Sequence, residues 1–186
     1  MLPKRLGRES VYESAWINLY IDRVLMPSGK IIEKYHQLDY PNDSITVLLL
    51  NSRNEICFIK SLRYTTQRIE WELPAGGVER GEDVLIAARR EVLEETGFQA
   101  REISLVFSYH PSNGMSNQRV HVLFARVDAD GQDFYDEDEV EGVYWFAVDR
   151  VKELIENNEI TDGISLMPLL LFFGGIIHFD SKRGSE

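Results

Sequence analysis

The sequence predicts an α/β fold in which a mixed sheet carries helices on both faces, preceded by a small antiparallel β-unit. Three observations carry that expectation. Apolar, β-branched runs recur from Ile45 onward, bounded by turn residues. A stretch over 83–96 without Pro or Gly, rich in Leu, Ala, Glu and Arg, has helix composition. The run EGVYWFAV leads directly into VDRVKELIENN, a strand followed by an amphipathic helix.

In chain order, residues 9 to about 42 alternate and turn: ESVYESAWINLYIDRVLM, a turn at Pro27-Ser28-Gly29-Lys30, then IIEKYHQLDY. ITVLLL and ICFIKSLRY flank a turn at Asn51-Ser52-Arg53-Asn54. WELPAGG reads as a loop leading to the helix over 83–96, which Gly97 should cap. EISLVFSYH and VHVLFARVDA read as further strands, and Thr161-Asp162 as the cap of a last helix, buried in its first part. The organisation expected is an N-terminal β-extension over 1–42, a main domain over 43–178 and a tail over 179–186.

A chain of 186 residues with a 44% hydrophobic fraction is most simply one compact, soluble globular protein with a proper core. A net charge of −11 disfavours sequence-independent nucleic-acid binding. The single Cys57, in EICFIK, cannot form an intrachain disulfide and reads as a buried strand residue, compatible with a reducing, cytoplasmic setting. MLPKRLGRES lacks the apolar core of a signal peptide, and the apolar stretch Ile164 to Ile177, broken by Pro168 and Gly174–Gly175, is too short to span a bilayer. The four histidines, His36, His110, His121 and His178, show no zinc spacing.

Residues 76–98 carry the chemistry. GGVERGEDVLIAARREVLEETGF follows the pattern G-x5-E-x7-R-E-U-x-E-E-x-G-U, where U is a bulky apolar residue, filled by Gly76, Glu82, Arg90, Glu91, Val92, Glu94, Glu95, Gly97 and Phe98. On a helix, Glu91 and Glu95 lie about 40° apart and Glu94 about 60° to the other side of Glu91, so three carboxylates share a face. Leu85, Ile86, Val92 and Leu93 fall opposite, which suggests a helix packed with its acidic face outward and Arg89 snorkelling or partnered. Like charges this close need a cation, and hard oxygen donors suit Mg²⁺ or Mn²⁺.

This string resembles the signature of the Nudix hydrolases. The resemblance implies an α/β/α sandwich and a pyrophosphohydrolase that cleaves a nucleoside diphosphate linked to another moiety, with divalent ions at the pyrophosphate and an activated water attacking phosphorus. Carried onto this chain, it implies metal ligation by Glu91, Glu94 and Glu95, with the Ala75 carbonyl as a further ligand and Glu82 direct or through water. Arg90 would orient a glutamate. Gly76 and Gly77 would let the backbone turn sharply.

Within the family the chain is most similar to the ADP-ribose and nucleoside-diphosphate-sugar pyrophosphatases. The likeness rests on the N-terminal extension, the Arg63-Tyr64 pair before WELPAGG, the segment HPSNGMSNQRVHVLFA with Pro111, Ser112 and Gly114, and the terminal TDGISL run. Where relatives often carry Glu, this chain has Gln118. That branch implies a homodimer using its N-terminal strands. Trp16 is then a candidate for stacking on the base, or else a core or interface tryptophan, with Tyr35 a second aromatic. Arg63 is a candidate phosphate ligand or a strand charge. Glu72 would hydrogen-bond substrate, support the metal site or end a strand as an ion pair. The general base resembles a loop glutamate before a strand; in the loop from Phe134 to Glu139, Glu139 matches best and Glu137 is the alternate, unless the run is simply solvated.

Other readings stay open on sequence. One is a Nudix hydrolase of oxidised nucleoside triphosphates, dinucleoside polyphosphates or the 5′ end of RNA, the last opposed by the charge of −11. Another is a non-catalytic nucleotide-sensing module, which the complete acidic set opposes.

Overall fold

The computed structural model describes residues 1–127 and 135–178. Phe134, at the head of the acidic loop, and the tail expected at 179–186 lie outside the described residues. The chain forms two compact units, one from Met1–Asp43 with His110–Arg119, the other from Ser44–Tyr109 with the chain from Val120 onward. Nothing in the sequence pattern assigns 110–119 to the first unit.

The first unit is a three-stranded antiparallel sheet: β1 (Lys4–Tyr12), β2 (Asn18–Leu25) and β3 (Ile31–Asp39) in the order β1-β2-β3. β1 starts at Lys4, ahead of the alternating segment, because an edge strand needs only backbone pairing, and all its residues are exposed. The turn expected at Pro27–Lys30 closes with Met26 N–H donating to the Lys30 carbonyl at 2.8 Å. A part-buried ion pair ties β1 to β2. Arg8 Nε and Nη2 each donate to an Asp22 carboxylate oxygen at 2.7 Å, with the guanidinium 3.9 Å from the Tyr20 ring centre.

Asp22 is 4% exposed, and the bonded guanidinium holds its carboxyl below the usual aspartate range. A depressed folded-state value means that the pair's contribution is present above the ordinary range of about 3.9 and is lost as pH falls through the folded value. Asp22→Asn should therefore cost about 1–2 kcal/mol at pH 7, the Arg8 end being partly wet. The gap in thermal midpoint between variant and parent should narrow as pH falls below the ordinary aspartate range; a gap independent of pH would contradict this role.

The second unit is an α/β/α sandwich, as the sequence led us to expect. Its strands are β4 (Ser44–Leu50), β5 (Ile56–Arg63), β6 (Arg68–Glu72), β7 (Ala75–Gly77), β8 (Glu102–Tyr109), β9 (Val120–Arg126) and β10 (Val140–Phe146). Its helices are α1 (Val84–Thr96), α2 (Val148–Glu156) and α3 (Gly163–Phe173). The sheet runs β10-β5-β4-β9-β8, with β6 added to β5 and β7 to β4. β4 and β9 are parallel and the other pairs antiparallel, so the sheet is mixed.

β4 is apolar along almost its whole length because both of its faces are covered. Ile45, Val47 and Leu49 pack with Leu123 and Ala125 beneath Ala87, Ala88 and Val92 of α1. Leu48 and Leu50 join Phe58, Val122 and Phe124 under Val151 and Leu154 of α2 and Leu169 of α3. Cys57 is fully buried on the α1 side, where burial pushes its thiol far up. Asp162 caps α3, accepting from Ser165 N–H at 2.8 Å, but Met167 and Leu170 are exposed, so only one side of that helix is buried. No helix among the described residues is long and apolar enough to cross a membrane.

WELPAGG is not the loop expected. Trp71 and Glu72 end β6, and Ala75–Gly77 form β7. Strands this short carry too few residues to show a period, and only their backbone partners on β5 and β4 define them.

Candidate active site

The site is assembled where β7 meets α1. Asp83 caps α1 by accepting from Leu85 N–H at 2.8 Å, and Gly97 ends it in the left-handed region at φ 71°. The helix does not face the way its large aliphatic residues suggest. Ala87, Ala88 and Val92 are buried together with Glu95, whereas Leu85, Ile86 and Leu93 are 37%, 59% and 44% exposed. Two adjacent alanines let the helix lie close on the sheet, and helical spacing then turns Glu91 and Glu95 inward, toward β7. Arg89 finds a partner, donating to the carbonyls of Ala100 and Arg101.

Glu95 is 6% exposed and accepts from Ala75 N–H at 2.9 Å. Burial pushes its carboxyl up to about 8, against the Ala75 bond, and the charges of Glu91 and Glu139 add to the rise while Arg63 opposes it. The Glu91 carboxyl lies against Gly76, where a Cβ would fall on it. Burial raises Glu91 too, with Arg90 opposing and Glu94 and Glu139 adding to the rise. Gly76 and Gly77 have no positive φ, so the sharp turn expected of them is not their role; at Gly76 the requirement is space for Glu91.

Arg90 is the hub of the cluster. It donates to both oxygens of Glu82 at 3.1 and 3.0 Å, to Glu91 at 2.7 Å, to Glu94 at 3.2 Å and to the Gly77 carbonyl at 2.9 Å. Its bond holds Glu82 below the usual carboxylate range. With this guanidinium among them, no three carboxylate, imidazole or thiolate groups among the described residues stand together as a ready cation cage. Arg63 and the buried Glu72 form a two-bond pair on adjacent strands, one bond being 2.7 Å, which raises Arg63 further.

The acidic loop is tied to the same helix and to β5. Asp136 N–H donates to the Glu94 carbonyl at 3.0 Å, and Leu62 N–H to the Glu139 carbonyl at 3.0 Å. Glu137 and Glu139 are exposed, and the charge of Glu139 reaches both Glu91 and Glu95. Ala75, Gly76, Glu82, Arg90, Glu91, Glu94, Glu95, Arg63, Glu72, Glu137 and Glu139 all belong to the second unit.

Trp16, Tyr35, Pro111, Ser112 and Gly114 belong to the first. Trp16 is 85% exposed, and the Tyr35 hydroxyl donates to the Gly114 carbonyl. Sequence reasoning passed over Asn117 and Asp39, which join the 110–119 segment to β3, and the Ser108 to His121 hydrogen bond at 2.8 Å. A single amide or imidazole has no spacing signature; only the pairing partner reveals it.

Residues 41–165 match the model of the NUDIX domain. The chain is 29% identical over 161 residues to an ADP-ribose pyrophosphatase of Bacillus subtilis (strain 168), covering 86% of each. It is 26% identical over 161 residues to the methanol dehydrogenase activator of Bacillus methanolicus, again covering 86% of each. The crystal structure of an ADP compounds hydrolase superposes with a TM-score of 0.82 at 18% identity, covering 95% of both chains, a likeness of fold.

Proposed function

The chain belongs to the Nudix family, and from that membership we propose that it hydrolyses nucleoside diphosphate sugars in a Mg²⁺-dependent reaction, cleaving ADP-ribose to AMP and ribose 5-phosphate. The substrate class is supported by similarity along most of the chain to the Bacillus subtilis ADP-ribose pyrophosphatase. The observation that carries the chemistry is the pair of inward-facing carboxylates, Glu91 and Glu95, held against the β7 backbone with both raised by burial. A bound divalent cation would relieve that cost, and Glu91, Glu94, Glu95 and the Ala75 carbonyl, with Glu82 beside them, are the oxygen donors that would hold Mg²⁺ or Mn²⁺. When bound, such an ion offsets charge on the pyrophosphate oxygens and acidifies water.

The chain's own residues do the rest. Arg90 keeps Glu82 in place, and Glu91 and Glu94, which it also bonds, would hold the ion when one is bound. Glu139 takes the proton of the attacking water as its oxygen bonds to one phosphorus; the bridging oxygen leaves with the other phosphate. Glu137 is the alternate base. Arg63, steadied by Glu72, grips phosphate oxygens, and Gly76 is a further candidate contact for the substrate. Trp16 and Tyr35 are the base-stacking candidates of this reading, and Pro111, Ser112 and Gly114 its candidates for contact with the sugar nucleotide.

The working form in this reading is a cytoplasmic homodimer. Residues 1–42 serve dimerisation and base binding, and 43–178 form the catalytic domain. The wholly exposed edge strand β1 supports an association of that kind.

The test is a panel of ADP-ribose, ADP-glucose, GDP-mannose, an oxidised dGTP and a 5′-triphosphate RNA with Mg²⁺. Sugar nucleotides should be the best substrates; turnover of the triphosphates alone would remove the sugar assignment and leave the family chemistry. Glu139→Gln should lower kcat by about 10²–10⁴ with KM little changed, and Glu137→Gln should lower it far less. The reverse ranking would move the base to Glu137.

A further inference from the structure

The His110–Arg119 segment between β8 and β9 has almost no apolar anchor of its own, and Pro111–Met115 are exposed throughout. It is nonetheless tied to β3 by specific polar contacts. Leu38 N–H donates to the Met115 carbonyl at 2.9 Å, and Leu38 and Ser116 form a parallel bridge. The Tyr35 hydroxyl takes the Gly114 carbonyl. Asn117 makes the densest set of bonds. Its Oδ1 accepts from Tyr40 N–H at 2.7 Å, and its Nδ2 donates to Asp39 Oδ1 at 2.9 Å and to the Tyr40 carbonyl at 3.2 Å. The other oxygen of Asp39 accepts from Asn18 on β2 at 3.1 Å.

An asparagine amide is the side chain that fits this place. It pairs with both backbone groups of Tyr40, offering an acceptor and two donors in one plane. Aspartate has no donor and would set a second carboxylate against Asp39. Alanine has neither group, and glutamine is one methylene too long. The loop itself is folded back, with Met115 and Ser116 N–H groups both donating to the Ser112 carbonyl at 3.1 and 2.9 Å. Asn117 therefore fixes the base of a loop whose outer residues are already bent into one arrangement.

We propose that Asn117, acting through Asp39 and the Tyr40 backbone, is a positioning residue that holds the His110–Arg119 loop ready for the nucleotide. This rests on the reading of that loop as substrate-binding. A pre-arranged loop spends its ordering entropy in folding instead of at binding, so loosening it weakens affinity and leaves the bond-breaking step alone. The loop's peptide groups and the Ser112 hydroxyl are the groups this arrangement presents to the polar atoms of a sugar nucleotide.

Asn117→Ala and Asn117→Asp should each raise KM for ADP-ribose with Mg²⁺ by about tenfold, the worth of one or two net hydrogen bonds, with kcat within about twofold. Hydrogen exchange on the metal-free, ligand-free protein gives an independent readout. Leu38 N–H and the Met115–Gln118 amides should exchange faster in both variants. A loop that exchanges as in the parent would overturn the mooring. A loosened loop with KM unchanged would overturn its link to binding, as would an equal loss in kcat. Failure of the parent protein to hydrolyse ADP-ribose would count against the proposed substrate instead. The KM comparison would then be made on whichever panel nucleotide is hydrolysed, with a calorimetric Kd for ADP-ribose in its place if none is.

Discussion

Replacing Glu95 with Gln should lower kcat/KM by on the order of 10³, the equivalent of about 4 kcal/mol of charge stabilisation at the phosphate. The fold should survive, because a glutamine oxygen can still accept from Ala75 N–H, the bond Glu95 makes at 2.9 Å. Stability separates this residue from an ordinary surface acid. The folded-state value of Glu95 is raised to about 8, so the folded protein holds a proton that the unfolded chain releases in the ordinary glutamate range. Metal-free protein should therefore lose stability as pH rises from about 5 through about 8, and Glu95→Gln should lose much less over that range. Mg²⁺ should raise the thermal midpoint of the parent and leave that of the variant nearly unmoved. A variant within tenfold of parental activity would take Glu95 out of the site.

Gly76→Ala is the second large effect. The added Cβ falls on the Glu91 carboxyl, so Glu91 must leave its place against β7. The backbone at Gly76 has no positive φ, so strain is not the cause and the fold should hold. In the proposed reaction, displacement of the Glu91 carboxylate by about 1 Å is worth on the order of 10² in rate. Gly77→Ala is the matched comparison: its added Cβ meets nothing within 4 Å, and the Gly77 carbonyl that Arg90 binds is unchanged. Activity assays on the two variants should differ by at least tenfold in kcat/KM, Gly76→Ala being the poorer. Equal losses would mean that β7 itself, and not its clearance for Glu91, is what the alanines disturb.

How much of this was legible in the sequence depended on the kind of signal. The helix over 84–96 and its glycine cap were legible because composition, a breaker at each end and a fixed spacing of charges agree. The strands of β4, β5, β8, β9 and β10 were legible as apolar runs between turn residues. The direction α1 faces was misread. Leu85, Ile86 and Leu93 outweigh Ala87 and Ala88 in hydrophobic area, but close approach to the sheet is decided by the small pair, and that turns Glu91 and Glu95 inward.

β6 and β7 were too short to show a period. The attachment of 110–119 to β3 was invisible for another reason. It depends on bonds such as that between Asn117 and Tyr40, 77 residues apart, and no local pattern encodes a partner at that distance. Arg63 and Glu72 were each singled out from sequence, but only the fold shows that they hold each other.

The reaction itself can be followed by phosphorus NMR on ADP-ribose with metal-stripped protein, before and after Mg²⁺ is added. The diphosphate signals should stay unchanged without the ion and, once it is present, give way to two phosphomonoesters in equal amounts, AMP and ribose 5-phosphate. Diphosphate signals that persist with Mg²⁺, or conversion to orthophosphate, would contradict hydrolysis of the pyrophosphate bond by the carboxylates of α1.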